Sequence, residues 1–311
     1  MHDDFTYNHL TLKKDYEGEV KAVLISYTPS LHHQRAVLYI HGMSDYFFQT
    51  ALAKFYAGCR VAFYALDLRK YGRALMNHQR PNFALSFTEY FEEISAAVNT
   101  IKNKHDYLIL NGHSTGTISA SLFCNEHPDG KKVDALFLNS PFFAFPYPEW
   151  SKRTLLPALR FLGLYFPYTK LPGKFSKLYC RSLHKNYEGE WEFDLKLKPL
   201  ESFPVYSGWV LAVHRAQKRF RRGLKRNIPV LILHSNKSLS RFIRWNDDLH
   251  YADAVLNVED MRKYSAKFTE DVTEMEIAGA KHDVFLSKPN ARKAAYDALS
   301  NWLKQITRHS A

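Results

Sequence analysis

The sequence predicts an α/β fold: a mostly parallel central sheet flanked by helices, with an inserted cap subdomain. Three observations predict it. Strand-like apolar runs alternate with helix-periodic segments through the first 140 residues, the pattern of parallel strands joined by crossover helices. The alternation stops at Pro141 and resumes at Ile228, a gap too long for a plain loop. Between them, one apolar run, "YLILNGHSTG" (Tyr107 to Gly116), ends in Gly-x-Ser-x-Gly where a helix begins. A chain of 311 residues is long enough for one large α/β domain carrying an insertion.

The elements follow in order. "EVKAVLISYTP" (Glu19 to Pro29) alternates as an early strand. "RAVLYIHG" (Arg35 to Gly42) is continuously apolar, as a strand buried on both faces is. A helical segment runs through "ALAKFYAGC", and "VAFYALDL" (Val61 to Leu68) is the next strand. "SFTEYFEEISAAVNTIKNK" (Ser86 to Lys104) has helical spacing at Tyr90, Ile94, Val98 and Ile101. Ser86 or Thr88 suits its N-cap, and Glu89 and Glu92 suit its first turn. After the strand at Tyr107 come a helix from about Thr115 to Asn125 and a strand in "VDALFLNSP" (Val133 to Pro141). Beyond the insertion lie the strands "IPVLILHS" (Ile228 to Ser235) and "DVTEMEIAG" (Asp271 to Gly279), then a last helix through "ARKAAYDALSNWLKQI". The division is therefore 1–140 with 227–311 as core, and 141–226 as cap.

Composition narrows the class. Hydrophobic residues make up 46% of the chain and charged residues 24%, an ordinary globular mixture. Aromatics reach 15%, which suits an aromatic-lined cavity as well as a bulky core. The polar, acidic start "MHDDFTYNHL" lacks the form of a signal peptide, and no run approaches the ~18 apolar residues of a spanning helix. Cys59, Cys124 and Cys180 are too few and scattered for a disulfide or zinc framework. The expectation is a soluble cytoplasmic protein. The net charge of +12 raises nucleic-acid or anionic-surface binding, and its densest cluster is "HRAQKRFRRGLKR" (His214 to Arg226). Read as a helix, Trp209, Val213, Ala216, Phe220 and Leu224 share one face, which makes the basic residues a solvated face of the cap. Nucleic acid is accordingly not expected, while peripheral contact with a membrane or anionic lipid stays open.

The chemistry centres on Ser114. A serine hydroxyl is a weak nucleophile at neutral pH and needs an adjacent base. On a sharp strand-to-helix turn, flanking glycines let backbone and helix approach while the hydroxyl stands clear at the top of the sheet. The base is expected after the last strand, where "AGAKHDVFLS" supplies His282, able to take and return a proton. The orienting acid is expected after the preceding strand. "HSNKSLSRFIRWNDDLHYADAVLNVEDM" offers Asp247, Asp248 and Asp253 there. Asp253 is favoured because it precedes a short turn and a helix; Asp247 and Asp248 remain open. An oxyanion hole needs two backbone N–H groups. Thr115, after the nucleophile, supplies one, and Met43, after the strand that ends in His41-Gly42, supplies the other. His41 reads as structural.

On "LYIHGMSDY", "ALDLRKYGR", "NGHSTG", "LNSPF", "PVLILHS", "DAVLNVEDM" and "KHDVFLS", the chain resembles serine α/β-hydrolases of the lysophospholipase and monoacylglycerol-lipase-like group, also called serine aminopeptidase-like. The resemblance spans about Val37 to the C-terminus. It implies the α/β-hydrolase fold, hydrolysis of a small-molecule ester, and neither a metal nor an organic cofactor. Two departures stand out. The family places its acid soon after "LILHS", whereas "NKSLSRFIRWNDDLHYA" intervenes here. Its "YGR" is usually followed by Ser, and here by Ala74.

The cap should cover Ser114. Its aromatic segments "PFFAFPYPEW" and "LRFLGLYFPYTKLPGKF", with "GEWEFDLKLKP", nominate Phe142, Phe143, Phe145 and Trp191 to bind an acyl or aryl group. The competing expectation is that Phe142, Phe143, Phe145, Phe161 and Phe166 build only the cap's own core. The function read from these residues is cleavage of short-to-medium acyl, aryl or monoacyl-lipid esters through an acyl-enzyme. The alternatives are a non-catalytic basic binding protein on the same scaffold, or peptidase or acyltransferase chemistry with the same three residues.

Overall fold

Apolar runs without alternation become strands covered on both faces. In the computed structural model, which describes residues 4–146, 149–172, 177–239 and 244–308, eight strands form one sheet. These are β1 (Phe5–Thr11), β2 (Lys21–Tyr27), β3 (Arg35–Ile40), β4 (Val61–Asp67), β5 (Tyr107–His113), β6 (Ala135–Asn139), β7 (Val230–Ser235) and β8 (Val272–Ile277). Their order is β1-β2-β4-β3-β5-β6-β7-β8. The pairings β1 with β2 and β2 with β4 are antiparallel, and the other five are parallel.

Strand alternation explains the two-sided burial. From β3, Val37 and Tyr39 face one core with Phe63, Ile109 and Leu231. That core is closed by α1 (Thr50–Gly58) and α8 (Pro289–Arg308). Leu38 and Ile40 face the opposite core with Leu66, Leu110 and Ile232. It is closed by α2 (Phe91–Lys102), α3 (Thr115–Glu126) and α6 (Ser207–Phe220). On α8, Ala291, Ala295, Leu299, Trp302 and Ile306 recur at helical spacing and are all buried.

Two details differ from the expectation. The polar N-terminus contains β1, an edge strand whose half-exposed residues carry no apolar run to mark it. The helix expected from Ser86 begins as a 3-10 turn, Phe87–Tyr90, before α2. Ser86 does cap it: its Oγ accepts from Thr88 N at 3.2 Å, and Glu89 returns a bond to Ser86 N at 2.9 Å.

The insertion between β6 and β7 carries α4 (Glu149–Tyr165), α5 (Lys177–Leu183) and α6. Trp209, Val213, Ala216 and Phe220 of α6 are buried in the same core as Ile118 and Leu122 of α3, so this helix is built onto the sheet's own packing. The basic run is not one helix either. α6 ends at Phe220, and Gly223 takes φ +80°. Several of its cations brace the core: Arg219 pairs with Glu126, Arg221 donates to Phe143 O at 3.2 Å, and Arg226 donates to Val133 O at 2.9 Å. Among the described residues, no helix is long and apolar enough to cross a membrane.

Candidate active site

Ser114 stands between β5 and α3 with φ 53° and ψ −117°, a backbone conformation that residues with a Cβ rarely adopt. The surroundings hold it there. Ser114 N donates to Asn139 O at 3.0 Å, and its carbonyl accepts from Thr117 N at 3.1 Å and Thr117 Oγ1 at 2.6 Å. The flanking glycines are required by contact. A Cβ on Gly116 would lie 2.3 Å from Ile40 O, and one on Gly112 would lie 2.7 Å from Gly116 O. Any side chain at either position would push the helix off the sheet.

His282 follows β8 in a loop fixed by its neighbours. Asp283 Oδ1 accepts from Asn139 Nδ2 at 2.8 Å and Phe285 N at 3.1 Å, and Lys281 N donates to Ser287 Oγ at 2.8 Å. The His282 ring is buried and its Nδ1 lies 2.8 Å from Asp253 Oδ2. A carboxylate only accepts, so Nδ1 carries the hydrogen, and in the neutral ring Nε2 then keeps its lone pair. Nε2 has no hydrogen-bond partner among the described residues. His282 and Ser114 line the same cavity.

Asp253 reaches this position despite the extra loop. Beyond β7 the chain runs to Leu239, and it returns so that Asp253 N donates to Lys237 O at 2.8 Å and Leu239 N donates to Asp253 O at 2.7 Å. This parallel bridge, Ser238 with Asp253, extends the strand and sets the acid beside its end. The carboxylate is fully buried, and its Oδ1 accepts from Val255 N and Leu256 N, both at 2.8 Å. Asp247 is exposed and bonded to Trp245 Nε1 at 3.1 Å, and Asp248 lies 3.8 Å from Lys237 Nζ. Of the three acids left open, Asp253 is the one bonded to His282. Residues 240–243 of that loop lie outside the described residues.

Met43 and Thr115 both line the cavity beside Ser114. Neither backbone N–H is engaged in a hydrogen bond among the described residues. Thr115 N belongs to the first turn of α3, whose N–H groups have no acceptor within the helix. His41 is buried and spent on structure. Its Nε2 accepts from Leu68 N at 3.1 Å and its Nδ1 meets Gly42 O at 2.8 Å, and burial lowers its pKa.

The cavity measures about 490 Å³, within the range of small-molecule sites. Phe142 and Phe145 are on its wall with Leu159, Leu171, Val205 and Val210. Phe143 and Trp191 are not. Phe143 stacks on Phe220 at 4.5 Å and packs against Phe268, because the chain turns there and neighbouring side chains diverge. Trp191 donates to Leu286 O at 2.9 Å and lies under the Arg292 guanidinium, away from the cavity. Phe161 and Phe166, which could have built a cap core, are exposed; Tyr147 and Pro148 lie outside the described residues.

A cluster at the cavity that was not foreseen brings together Asp45, His113 and Lys198. Lys198 Nζ lies 2.7 Å from Asp45 Oδ1, and His113 Nδ1 lies 3.7 Å from Asp45 Oδ2. Burial alone would raise the Asp45 pKa, but Lys198 and His113 outweigh it and hold the carboxyl well below the usual carboxylate range. The sequence carried one signal for Asp45, its place two residues after Met43. It carried none for Lys198, 153 positions further on.

Comparison with known proteins places the family and the fold. The family model for serine aminopeptidase, S33 matches residues 32–238, more than half of the chain. No curated protein matches the sequence. Among solved structures, a soluble variant of monoglyceride lipase from Saccharomyces cerevisiae, in complex with a substrate analog, superposes with TM-score 0.68 at 13% identity, covering 96% of each chain. A monoacylglycerol lipase from Paleococcus ferrophilus superposes with TM-score 0.64 at 17% identity, covering 96% of this chain and 98% of the other. Est1E from Butyrivibrio proteoclasticus, with ferulic acid bound, has TM-score 0.59 at 15% identity, covering 96% and 99%. At such identities the likeness is one of fold, and it is to the α/β-hydrolase fold that the mostly parallel sheet with its strand-to-helix serine turn conforms. The chain belongs to the serine aminopeptidase (S33) family and is a hydrolase of the α/β-hydrolase superfamily.

Proposed function

We propose that this protein is a serine hydrolase of carboxylic esters, with Ser114 as nucleophile, His282 as base and Asp253 as orienting acid. The observation that carries the reading is the unpartnered His282 Nε2. His282 lines the same cavity as Ser114, while its Nδ1 is anchored on a buried carboxylate. Ser114 Oγ attacks the ester carbonyl and its proton passes to His282 Nε2. The carbonyl electrons move to oxygen, where the Met43 and Thr115 amides receive the negative charge. The charge re-forms the carbonyl as the C–O bond to the alcohol breaks, and His282 returns the proton to that leaving oxygen. Water then attacks the acyl-serine, again giving its proton to His282. Collapse frees the acid and restores the Ser114 hydroxyl. Asp253 holds the imidazole in the Nδ1–H tautomer and stabilises the imidazolium formed twice per turnover.

The cavity walls support a substrate class. Phe142, Phe145, Leu159, Leu171, Val205 and Val210 suit one acyl chain or an aryl group. About 490 Å³ is too small to enclose the three long chains of a bulky triglyceride. Short-to-medium acyl esters, aryl esters and monoacyl lipids are the proposed substrates. The ligands named for the neighbours, a substrate analog of a monoglyceride lipase and ferulic acid, are consistent with that range. Phe161, Leu164, Tyr165 and Phe166 stand exposed at the end of α4, a cluster that supports peripheral contact with a lipid surface. The testing experiment is turnover of nitrophenyl esters, monoacylglycerol, lysophospholipid and aminoacyl amides by wild type and Ser114→Ala. Ester cleavage that vanishes in the variant supports the reading. Amide cleavage in preference to esters, or turnover retained in the variant, contradicts it.

A further inference from the structure

The backbone just after Met43, the second proposed oxyanion donor, is strained. Ser44, next to Met43, has φ +48°, in the left-handed region that residues with a Cβ avoid. Such a conformation persists only where contacts over-determine it. Asn82 Oδ1 accepts from Ser44 N at 2.8 Å and Ser44 Oγ at 3.1 Å. The other contacts come from the insertion, one for each of three consecutive residues. Phe203 N donates to Ser44 Oγ at 3.1 Å, Lys198 Nζ donates to Asp45 Oδ1 at 2.7 Å, and Asp194 N donates to Tyr46 Oη at 2.7 Å. Beneath these bonds, Tyr46 and Phe48 share a buried cluster with Phe193 and Leu183 of the insertion. The histidine loop leans on the same segment. Lys281 Nζ donates to Ser182 O, and Asp283 N donates to Tyr179 Oη at 3.3 Å.

We infer that Lys198 is a positioning residue for catalysis: through its ion pair with Asp45 it holds the loop that aims the Met43 amide at the developing oxyanion. This rests on the ester-hydrolase reading above. Asp45 is the hub of the loop. Its Oδ1 accepts from its neighbour's amide, Tyr46 N, at 3.0 Å as well as from Lys198, so the pair fixes the local backbone. Both partners are buried, where an ion pair is little screened by solvent and loss of one charge strands the other. On its other side Asp45 Oδ2 lies 3.7 Å from Nδ1 of His113, the residue before Ser114, so the same carboxylate sits between the loop after Met43 and the strand that ends at the proposed nucleophile. The insertion is in this view part of the catalytic frame, and its segment 194–203 moves only if the oxyanion loop moves with it.

The test compares Lys198→Met, Lys198→Arg and the charge-balanced double variant Asp45→Asn/Lys198→Met on nitrophenyl butyrate. It adds inhibition by a trifluoromethyl ketone, which Ser114 Oγ attacks to leave an oxyanion in the hole. Loss of a single oxyanion donor costs about 10²–10³ in turnover, and misaiming one costs a part of that. Lys198→Met should lower kcat by about 10- to 100-fold, weaken the ketone by a similar factor and leave KM within about threefold. Lys198→Arg should recover most of kcat. The double variant, which strands no charge, should recover the melting temperature but not kcat. A raised KM with unchanged kcat would make Lys198 a substrate contact and overturn the inference. Recovery of kcat along with stability in the double variant overturns it too, since burial of charge would then be its whole role. An active wild type with unchanged Lys198→Met overturns the tether alone, whereas an inactive wild type overturns the ester reading and the tether with it.

Discussion

Replacing Asp253 by Asn changes one atom, and the surroundings decide what that atom does. Oδ1 of Asp253 accepts two backbone hydrogens, from Val255 and Leu256, and Oδ2 accepts one, from His282 Nδ1. An asparagine has one acceptor and one donor to place. With its NH₂ toward the backbone it would oppose two N–H groups, that of Leu256 buried and that of Val255 half-buried, and a buried one costs about 1–3 kcal/mol when unsatisfied. With its NH₂ toward His282 it opposes one hydrogen, and the ring avoids that by shifting its proton to Nε2. The second arrangement wins, and every hydrogen bond survives in it. The fold should therefore hold, with a melting temperature close to wild type. Catalysis should not survive, because Nε2 then carries a hydrogen and cannot accept the one from Ser114. The expected loss in kcat is on the order of 10³–10⁴, or about 4–5 kcal/mol of barrier. Steady-state hydrolysis of a soluble nitrophenyl ester measures it, with circular dichroism as the folding control. Asp247→Asn and Asp248→Asn should stay within about twofold of wild type, since surface changes away from the site cost little. Asp253→Asn within tenfold of wild type, or a large loss in either of the other two variants, would refute this reasoning.

Other perturbations test other parts. Gly116→Ala should abolish turnover and lower stability, because its Cβ would lie 2.3 Å from Ile40 O; a folded, active variant would show that the turn tolerates a side chain. Ester kcat/KM should climb by about fourfold per added methylene while the chain finds apolar wall, then fall sharply. Val210→Phe should move that maximum to shorter chains, and a flat profile out to long chains would contradict a bounded cavity. Lys281 is buried beside His282; burial first, then the charge of Lys288, lowers its pKa from 10.5 to about 7, with Glu190 opposing. The unfolded chain therefore holds a proton between about pH 7 and 10.5 that the native state has released, and native stability gains with rising pH across that window. The melting temperature of wild type relative to Lys281→Met should be least favourable near pH 6 and improve by pH 9; a pH-independent offset would contradict it.

What was legible in the sequence was what local pattern controls. The buried strands β3, β5 and β7 are uninterrupted apolar runs because helices cover both their faces, and burial of both faces leaves no place for polar alternation. Ser114 was legible because the close approach of strand and helix around it demands glycine two positions away on either side, and that demand is written within five residues. His282 was singled out by its place between the last strand and the last helix. Strand β1 was not legible, since an edge strand half in solvent needs no apolar signature. The aromatic residues of the insertion misled in part: Phe142, Phe143 and Phe145 are alike in chemistry, and only the turn of the chain sends Phe143 into the core. The Lys198–Asp45 pair joins positions 153 apart in a segment rich in lysine, so only folding distinguishes that lysine from its neighbours.

The central claim is that Ser114 is the nucleophile, and covalent capture tests it most directly. A fluorophosphonate reacts at phosphorus with an activated serine oxygen and releases fluoride, and the adduct persists for mass measurement. Incubation of the folded wild-type chain, followed by intact-mass analysis and peptide mapping, should show one phosphonyl group. It should sit on the peptide containing Ser114, with labelling abolished in Ser114→Ala and slowed by orders of magnitude in His282→Ala. An unmodified wild-type chain, or an adduct on any other residue that persists in Ser114→Ala, would contradict the account.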